Sequence, residues 1–362
     1  MSKPAQNEKD NFTSALHVQN GVNQPSIVSP YLDVSKLRKS PLLDTQTYID
    51  GILNGNRVVL SQAITLIESN KQEHYQLSQS ILEACIPYSG KSIRIGITGV
   101  PGAGKSTFIE AFGKHLTGLG HKLAVLAIDP SSERSKGSIL GDKTRMEELA
   151  TDENAFIRPS PSAGSLGGVT RKTAETLILC EAAGFDIVFI ETVGVGQSET
   201  AVHSMVDFFM LLMISGAGDE LQGIKRGIME MADAIVINKA DGDNIKKAEL
   251  TKTQYANALM LFPPTPSGWK PPVITASSLY KTGISEIWDI MLQYRHLTTE
   301  NGYFEQNRTR QLQDRFYSFM EDELLHKFYA DSNTQKAIKH YKSQISEKKI
   351  TPYTAGKMVL EK

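Results

Sequence analysis

The middle of the chain alternates between short apolar runs and stretches with helical spacing, and this pattern predicts an α/β fold. Buried strands are predicted at 93–97, 122–128, 185–190, 207–215, 233–237 and 272–276. Helices are predicted at 107–112, 170–183, 220–231 and 284–297. Strands and helices that alternate in this way form a mostly parallel sheet covered by helices. We expect such a core over residues 91–300.

Two other segments precede this core. Residues 1–40 are rich in Asn, Gln, Ser and Pro and lack a sustained apolar period, which predicts a flexible tail. Residues 41–90 have helical apolar spacing and are expected to form a helical N-terminal extension.

Residues 301–362 are predicted to form a helical arm whose first helix has an apolar stripe. A single helix cannot bury such a stripe, so the arm must either pack on the core or meet a second copy. We favour a homodimer formed through the arm. The stripe consists of Leu312, Phe316, Phe319, Met320, Leu324 and Phe328.

A glycine-rich motif joins the first predicted strand of the core to the helix after it. Its sequence matches G-x-x-x-x-G-K-[ST], in which backbone N–H groups and the start of a helix surround phosphate oxygens. Lys105 is expected to reach the β- and γ-phosphates, and the Ser106 hydroxyl to bind Mg²⁺. The alternative is a glycine-rich turn without a ligand, which the strand and helix around the motif disfavour. The predicted phosphate-binding residues are Gly99, Val100, Pro101, Gly102, Ala103, Gly104, Lys105, Ser106 and Thr107.

A second motif, Asn238-Lys239-Ala240-Asp241, directly follows a predicted strand. The N-K-x-D pattern reads guanine, because the Asp241 carboxylate can accept from both N1–H and the exocyclic amine. Adenine offers neither donor, and a mismatch of this kind discriminates by about 10⁴-fold or more. Asn238 is expected to brace the phosphate loop, and the Lys239 stem to lie over the base. The residues after the next strand, Ser277, Ser278 and Leu279, are predicted to meet the guanine O6.

Three acidic residues occupy positions suited to magnesium. Asp129 and Glu191 each end a predicted strand, and Asp142 lies in a glycine-containing loop where we also assign it a catalytic role. Mg²⁺ usually keeps several waters and takes one or two carboxylates, so not all three need to be direct ligands. Helix capping or loop solvation is the alternative, a stronger one for Asp142 than for Glu191.

Composition and charge narrow the functional class. The 39 basic and 40 acidic residues give a net charge of −1, which predicts no general affinity for nucleic acid or membranes. The longest clean apolar run, 208–214, is far shorter than the roughly 18 residues of a membrane span. Cys85 and Cys180 lie in apolar helical patterns and are expected to be buried reduced thiols. With no signal-like or arginine-containing leader in residues 1–35, we predict a cytoplasmic protein.

Several longer strings resemble the MeaB/ArgK family, the methylmalonyl-CoA mutase-associated GTPases within the signal-recognition-particle-like branch of P-loop NTPases. The resemblance extends over residues 45–360. One departure is Lys136, where the family usually has a glycine. The strings that carry the likeness lie at 129–132, 137–146, 158–161, 166–169, 191–199, 216–227 and 238–243.

The resemblance implies a homodimeric GTPase that binds GTP, GDP and Mg²⁺. It also implies that the protein chaperones an adenosylcobalamin-dependent acyl-CoA mutase, coupling GTP hydrolysis to cofactor loading and protection. In such proteins the stretch matching residues 216–227 is a third switch that touches the mutase. Gln222 and Lys225 match its hydrolysis-relevant positions, and Lys225 could offset charge on the transferred phosphoryl group. Without the resemblance, a solvated helix start would be the favoured interpretation of both residues.

Two other functional classes stay open. The first is a P-loop kinase or ATPase linked to amino-acid transport, although an ATP enzyme has no need of the guanine motif at 238–241. The second is a GTPase that matures nickel enzymes. Proteins of that kind tend to have His-rich tails or paired cysteines, whereas the eight histidines and two cysteines here are dispersed.

Overall fold

The structure is a computed structural model, and it describes residues 42–69, 71–129, 146–161, 166–192, 198–216 and 226–361. The predicted tail at 1–40, the departure at Lys136, and the candidates Asp142, Gln222 and Lys225 lie outside the described residues. Asp129 lies at the end of a described strand, but its side chain is outside the description.

Within the described residues, seven strands form one parallel sheet in the order β3-β2-β4-β1-β5-β6-β7. This confirms the predicted P-loop α/β class with its parallel sheet. Nearly every residue of β1, β4, β5 and β6 is buried, as expected for strands covered on both faces. The strands are β1 Ile93–Gly99, β2 Leu123–Asp129, β3 Ala155–Pro161, β4 Ile187–Thr192, β5 Phe208–Ile214, β6 Ala234–Asn238 and β7 Val273–Thr275.

Helices connect these strands and continue the chain at both ends of the core. The helices of the N-terminal extension are α1 Thr45–Leu53, α2 Arg57–Glu68 and α3 Gln72–Cys85. Those of the core are α4 Lys105–Gly118, α5 Glu147–Ala150, α6 Leu166–Ala182, α7 Ser198–His203, α8 Arg226–Met231, α9 Ile245–Leu259 and α10 Ile284–Glu300. The arm consists of α11 Tyr303–Ala330, α12 Ser332–Ser346 and α13 Pro352–Leu360. Short 3₁₀ turns lie at Ile86–Tyr88 and Gly242–Asn244.

One strand was absent from the sequence prediction. β3 contains Pro159 and Pro161, and prolines disfavour a central strand because they cannot donate to the sheet. The structure resolves this conflict by placing β3 at the edge of the sheet, paired only with β2. An edge strand needs hydrogen bonds on one side only, so it can contain both prolines.

Because the strands are parallel, their carboxyl ends all lie at the same end of the sheet. Ile97 lies opposite Glu191, and Ile214 lies opposite Asn238. Open parallel sheets bind ligands just outside the carboxyl ends of their strands. The phosphate loop after β1, Glu191 near the end of β4 and the N-K-x-D motif at the end of β6 therefore share one side of the molecule.

The N-terminal extension is fastened to the core by Arg158 on β3. Its guanidinium donates to the Glu68 carboxylate near the end of α2 and to the hydroxyls of Ser61 and Thr65 at 3.3 Å. The Lys172 ammonium on α6 also donates to the Glu68 carbonyl, at 2.8 Å. These polar contacts hold α2 beside the edge strand.

The apolar run at 208–214 is strand β5, and its first six residues are buried. Cys85 and Cys180 are both buried free thiols, as the sequence predicts. Over the described residues, no helix is long and apolar enough to cross a membrane.

The apolar stripe of the arm is largely exposed in the single chain. Leu312, Phe316 and Leu324 on α11 expose 62%, 59% and 64% of their surface. The first turns of the same helix are anchored, with Arg308 and Gln311 buried against the core. The arm is therefore fixed at its base and presents uncovered apolar surface further along.

Candidate functional site

Glycine is required at both ends of the phosphate loop. A Cβ at Gly99 would lie only 2.3 Å from the Leu212 carbonyl oxygen on β5, so the close approach of the two strands requires glycine. Gly104 directly precedes α4 as its N-cap residue and has φ +84°, in the left-handed region that favours glycine. The loop is thus held against β5 at one end and turns sharply into α4 at the other.

Lys105 lies at the start of α4 and curls back over the loop. Its ammonium donates to the Gly99 carbonyl at 2.9 Å. Burial lowers the pKa of Lys105, while the charges of Glu191 and Glu199 act in the opposite direction. A partly desolvated cation beside backbone N–H groups is suited to holding phosphate oxygens.

Asn238 at the end of β6 joins the N-K-x-D motif to the phosphate loop. Its side chain is buried, and Nδ2 donates to the Ala103 carbonyl at 2.8 Å. Its Oδ1 accepts from the Ser278 hydroxyl at 2.8 Å and from the Ser278 backbone N–H at 3.2 Å. One amide therefore connects the phosphate loop, the N-K-x-D motif and the turn after β7.

Asp241 is oriented by the residue before Ser278. The Ser277 hydroxyl donates to Oδ2 of Asp241 at 2.5 Å. Ser277 is itself fixed by two backbone hydrogen bonds with Thr282, at 3.0 and 3.1 Å. The carboxylate that would read guanine is thus held by a buried, backbone-anchored hydroxyl.

These elements enclose a cavity of about 200 Å³. A Cβ added at Gly104 would lie 3.6 Å from the Cε atom of Lys239, which shows that the Lys239 side chain lies over the phosphate loop. The structure therefore brings residues of three sequence-predicted segments to one cavity. Its lining consists of Gly104, Thr107, Asn238, Lys239, Asp241, Ser278 and Leu279.

A larger cavity of about 400 Å³ lies between α2, α5 and β3. Its lining includes Arg57, Ser61, Gln62, Thr65 and Phe156. None of the sequence-predicted site residues lines it, so the smaller cavity is the candidate site for nucleotide chemistry.

A family model decides the class of this site. The model of the methylmalonyl-CoA mutase-associated GTPase MeaB matches residues 60–333. The chain belongs to this family. Members of the MeaB family are P-loop GTPases, and the chain is accordingly a GTP-hydrolysing enzyme.

Relatives of the MeaB-family chain match it over most of their length. GTPase ArgK of Escherichia coli is 46% identical over 307 residues, which are 85% of this chain and 93% of the relative. The mouse protein named methylmalonic aciduria type A homolog, mitochondrial, is 44% identical over 330 residues, 87% of this chain and 80% of the relative. A solved structure described as LAO/AO transport system kinase is 39% identical with a TM-score of 0.73, covering 89% of this chain and 99% of that one.

Of the three acidic residues predicted to bind Mg²⁺ in this MeaB-family GTPase, only Glu191 has its side chain among the described residues. Glu191 is 4% exposed near the end of β4, and its charge acts on Lys105. Ser106 lies in the first turn of α4. The roles of Asp129, Asp142, Gln222 and Lys225 stay predictions. Among the described residues, no group of three or more His, Cys, Asp and Glu side chains could hold a metal ion.

Two residues near the site were missed by the sequence analysis. Glu199 on α7 is fully buried, and its charge acts on Lys105 alongside that of Glu191. Its place at the end of the family-like string 191–199 was the available signal. The Asn244 side chain donates to the carbonyl of Lys239 in the N-K-x-D motif, at 2.6 Å. No pattern in the sequence links Asn244 to that atom.

Proposed function

We propose that this MeaB-family GTPase assists an adenosylcobalamin-dependent acyl-CoA mutase, most directly methylmalonyl-CoA mutase, in cofactor loading and protection. The description of the family names the association with that mutase, and the name of the mouse relative refers to methylmalonic aciduria. The structure contributes the nucleotide part of the proposal, and the family description contributes the client enzyme.

The hydrogen bond from Asn238 to the Ala103 carbonyl carries the nucleotide assignment. Because it joins the base-reading motif to the phosphate loop, a single ligand with a guanine base and phosphates can satisfy both. Asp241 would accept from the N1–H and exocyclic amine of guanine, while Ser277 holds the carboxylate in place. Adenine would leave that carboxylate without its partners, so the site favours GTP and GDP.

Magnesium belongs to the same proposal. The Ser106 hydroxyl and the Glu191 carboxylate offer oxygen ligands of the kind that Mg²⁺ prefers, and Asp129 and Asp142 are further candidates. The buried acidic charge beside Lys105 fits a site that holds a cation together with phosphates. When bound, the ion neutralises charge on the β- and γ-phosphates.

The hydrolytic residues are assigned by family likeness. Lys105 would hold the phosphate chain, and Gln222 and Lys225 would act on the γ-phosphate once the mutase contacts their segment. A GTPase completed by its partner in this way hydrolyses GTP slowly when alone. The uncovered stripe on α11 supports the further proposal that the active form is a homodimer.

The test is steady-state GTP hydrolysis with and without purified methylmalonyl-CoA mutase, with ATP as a parallel substrate. We expect slow GTP turnover that the mutase accelerates, and no comparable ATP turnover. Asp241→Asn should abolish the preference for GTP. GTP turnover that is indifferent to the mutase would contradict the choice of client. Preferred ATP turnover would contradict the guanine assignment and favour the kinase or ATPase alternative, which the name of the solved relative suggests.

A further inference from the structure

Asn244 connects two parts of the molecule that meet beside the candidate guanine cavity. Its Nδ2 donates to the Lys239 carbonyl at 2.6 Å, and its Oδ1 accepts from the Ser215 hydroxyl at 2.6 Å. Its backbone N–H also donates to the Asp241 carbonyl at 2.9 Å. Asn244 therefore binds the base-reading turn at two carbonyls and the end of β5 at one hydroxyl.

The donors and acceptors at this position permit only one orientation of the amide. The Lys239 carbonyl can accept but not donate, so the NH₂ group of Asn244 must face it. The remaining Oδ1 then accepts from Ser215, whose hydroxyl can donate. An aspartate of almost the same shape would bring a carboxylate oxygen against the Lys239 carbonyl, and an alanine would leave that carbonyl without this partner.

The carbonyl that Asn244 binds belongs to a strained residue. Lys239 has φ +59°, in the left-handed region that residues with a Cβ rarely adopt. Such a conformation persists only where surrounding contacts impose it. It matters here because the same residue lays its side chain over Gly104 and leads the chain to Asp241.

Ser215 ties this turn to the sheet. It follows Ile214, the last residue of β5, which lies opposite Asn238 in the register of β5 and β6. The chain turns away from the sheet at the next residue, Gly216, with φ +88°. The contact between Ser215 and Asn244 thus fastens the base-reading turn to a strand end beside it, rather than only to its own helix.

We propose that Asn244 is a positioning residue for guanine recognition. It holds Lys239 and Asp241 in the conformation that reads the base, and it fastens their turn to Ser215 at the end of β5. This inference rests on the proposed guanine site at 238–241. It assigns a role to a side chain that does not line the cavity itself.

The test compares the binding of GDP and IDP to the full-length protein by titration calorimetry. IDP lacks the exocyclic amine, so the dissociation constant of IDP divided by that of GDP reports how well Asp241 meets that amine. We expect Asn244→Asp to raise the dissociation constant of GDP by about tenfold and that of IDP by less. The ratio therefore falls. Ser215→Ala should lower the ratio in the same direction by a smaller factor, because the amide keeps its bond to Lys239.

Two further variants make the result specific. Asn257→Asp makes the same chemical change at an exposed position of α9 and should leave both dissociation constants unchanged. Asp241→Asn removes the base-reading carboxylate and should lower the ratio strongly. If Asp241→Asn lowers the ratio while Asn244→Asp and Ser215→Ala retain the wild-type value, the role of Asn244 is refuted and the guanine site stands. If Asp241→Asn also retains the wild-type ratio, both assignments are refuted. Should Asn244→Asp fail to fold, Ser215→Ala decides by the same ratio.

Discussion

Arg308 on α11 donates two hydrogen bonds to the Asp207 carboxylate, from Nε to Oδ1 at 2.8 Å and from Nη2 to Oδ2 at 2.7 Å. The same guanidinium donates to the carbonyls of Ser92, at 2.6 Å, and Gly90. Asp207 precedes β5 and also accepts from the Arg94 backbone N–H at 2.8 Å. One buried ion pair thereby anchors the C-terminal arm to the amino end of the interior strand β5, whereas the candidate nucleotide site lies at the carboxyl ends of the strands.

This anchor predicts a large loss of stability for Arg308→Met. Removing one partner of a buried ion pair leaves the other charge uncompensated, which costs about 3–5 kcal/mol. Urea denaturation of the variant and the wild-type protein measures the difference in the free energy of unfolding. Arg310→Met, two positions away and exposed, is the control and should change stability little. Equal effects at the two positions would show that the ion pair contributes no more than a surface residue does.

Much of the candidate nucleotide site could be placed in the fold from the sequence, because its motifs are local. The phosphate loop lies between β1 and α4 as expected, and the N-K-x-D motif lies at the end of β6. Motifs that follow parallel strands lie together at the carboxyl ends of the strands, whatever their separation along the chain. The predicted strand bounds differ from the observed ones by one or two residues for most strands.

What the sequence did not reveal depends on contacts between distant residues. Ser215 and Asn244 are 29 residues apart, and their contact follows from the packing of β5 beside β6. Arg308 reaches Asp207 from 101 residues away. β3 was missed for another reason, since its two prolines are unfavourable in general and acceptable only at the edge that the completed sheet gives it.

Asp233 predicts a specific dependence of stability on pH. The pKa of its carboxyl is raised from 3.8 to about 7, chiefly by burial; the hydrogen bond from the Phe209 N–H opposes the shift, and the charge of Asp207 adds to it. Between these two values the folded protein holds a proton that the unfolded chain has lost. Stability should therefore fall as the pH rises toward 7, by at most about 1.4 kcal/mol per pH unit, and then level off.

Asp233→Asn tests this dependence, because the amide retains an oxygen acceptor for the Phe209 N–H and has no proton to lose. Relative to the wild-type protein, the variant should gain stability between pH 5 and pH 7.5 in urea denaturation. Asp289→Asn, an exposed substitution on α10, serves as the control. A constant difference between Asp233→Asn and the wild type across this range would contradict the prediction.

The uncovered stripe of the arm predicts that Phe316→Glu shifts the protein toward the monomer. Phe316 exposes 59% of its surface in the single chain, and a charge there would have to be buried in an interface formed through the stripe. Sedimentation equilibrium measures the change in the association constant. Met260→Glu is the control: it places the same charge on an apolar residue just after α9, outside the arm, that is 80% exposed, and it should leave the association constant unaltered. A wild-type monomer, or an equal effect of both substitutions, would exclude the stripe as the interface.

Gly104→Ala should abolish tight nucleotide binding without unfolding the protein. At φ +84° any side chain is strained, and the new Cβ would lie 3.1 Å from Nδ2 of Asn238, the atom that joins the N-K-x-D motif to the phosphate loop. Gly118→Ala provides a matched control at the other end of α4, where a Cβ meets nothing within 4 Å and alanine favours the helix. Binding of a fluorescent GDP analogue should therefore be lost in Gly104→Ala and retained in Gly118→Ala, with both variants melting cooperatively. Since the strain and the contact with Asn238 both act on the loop, undiminished binding by Gly104→Ala would mean that neither feature is needed to hold the phosphates.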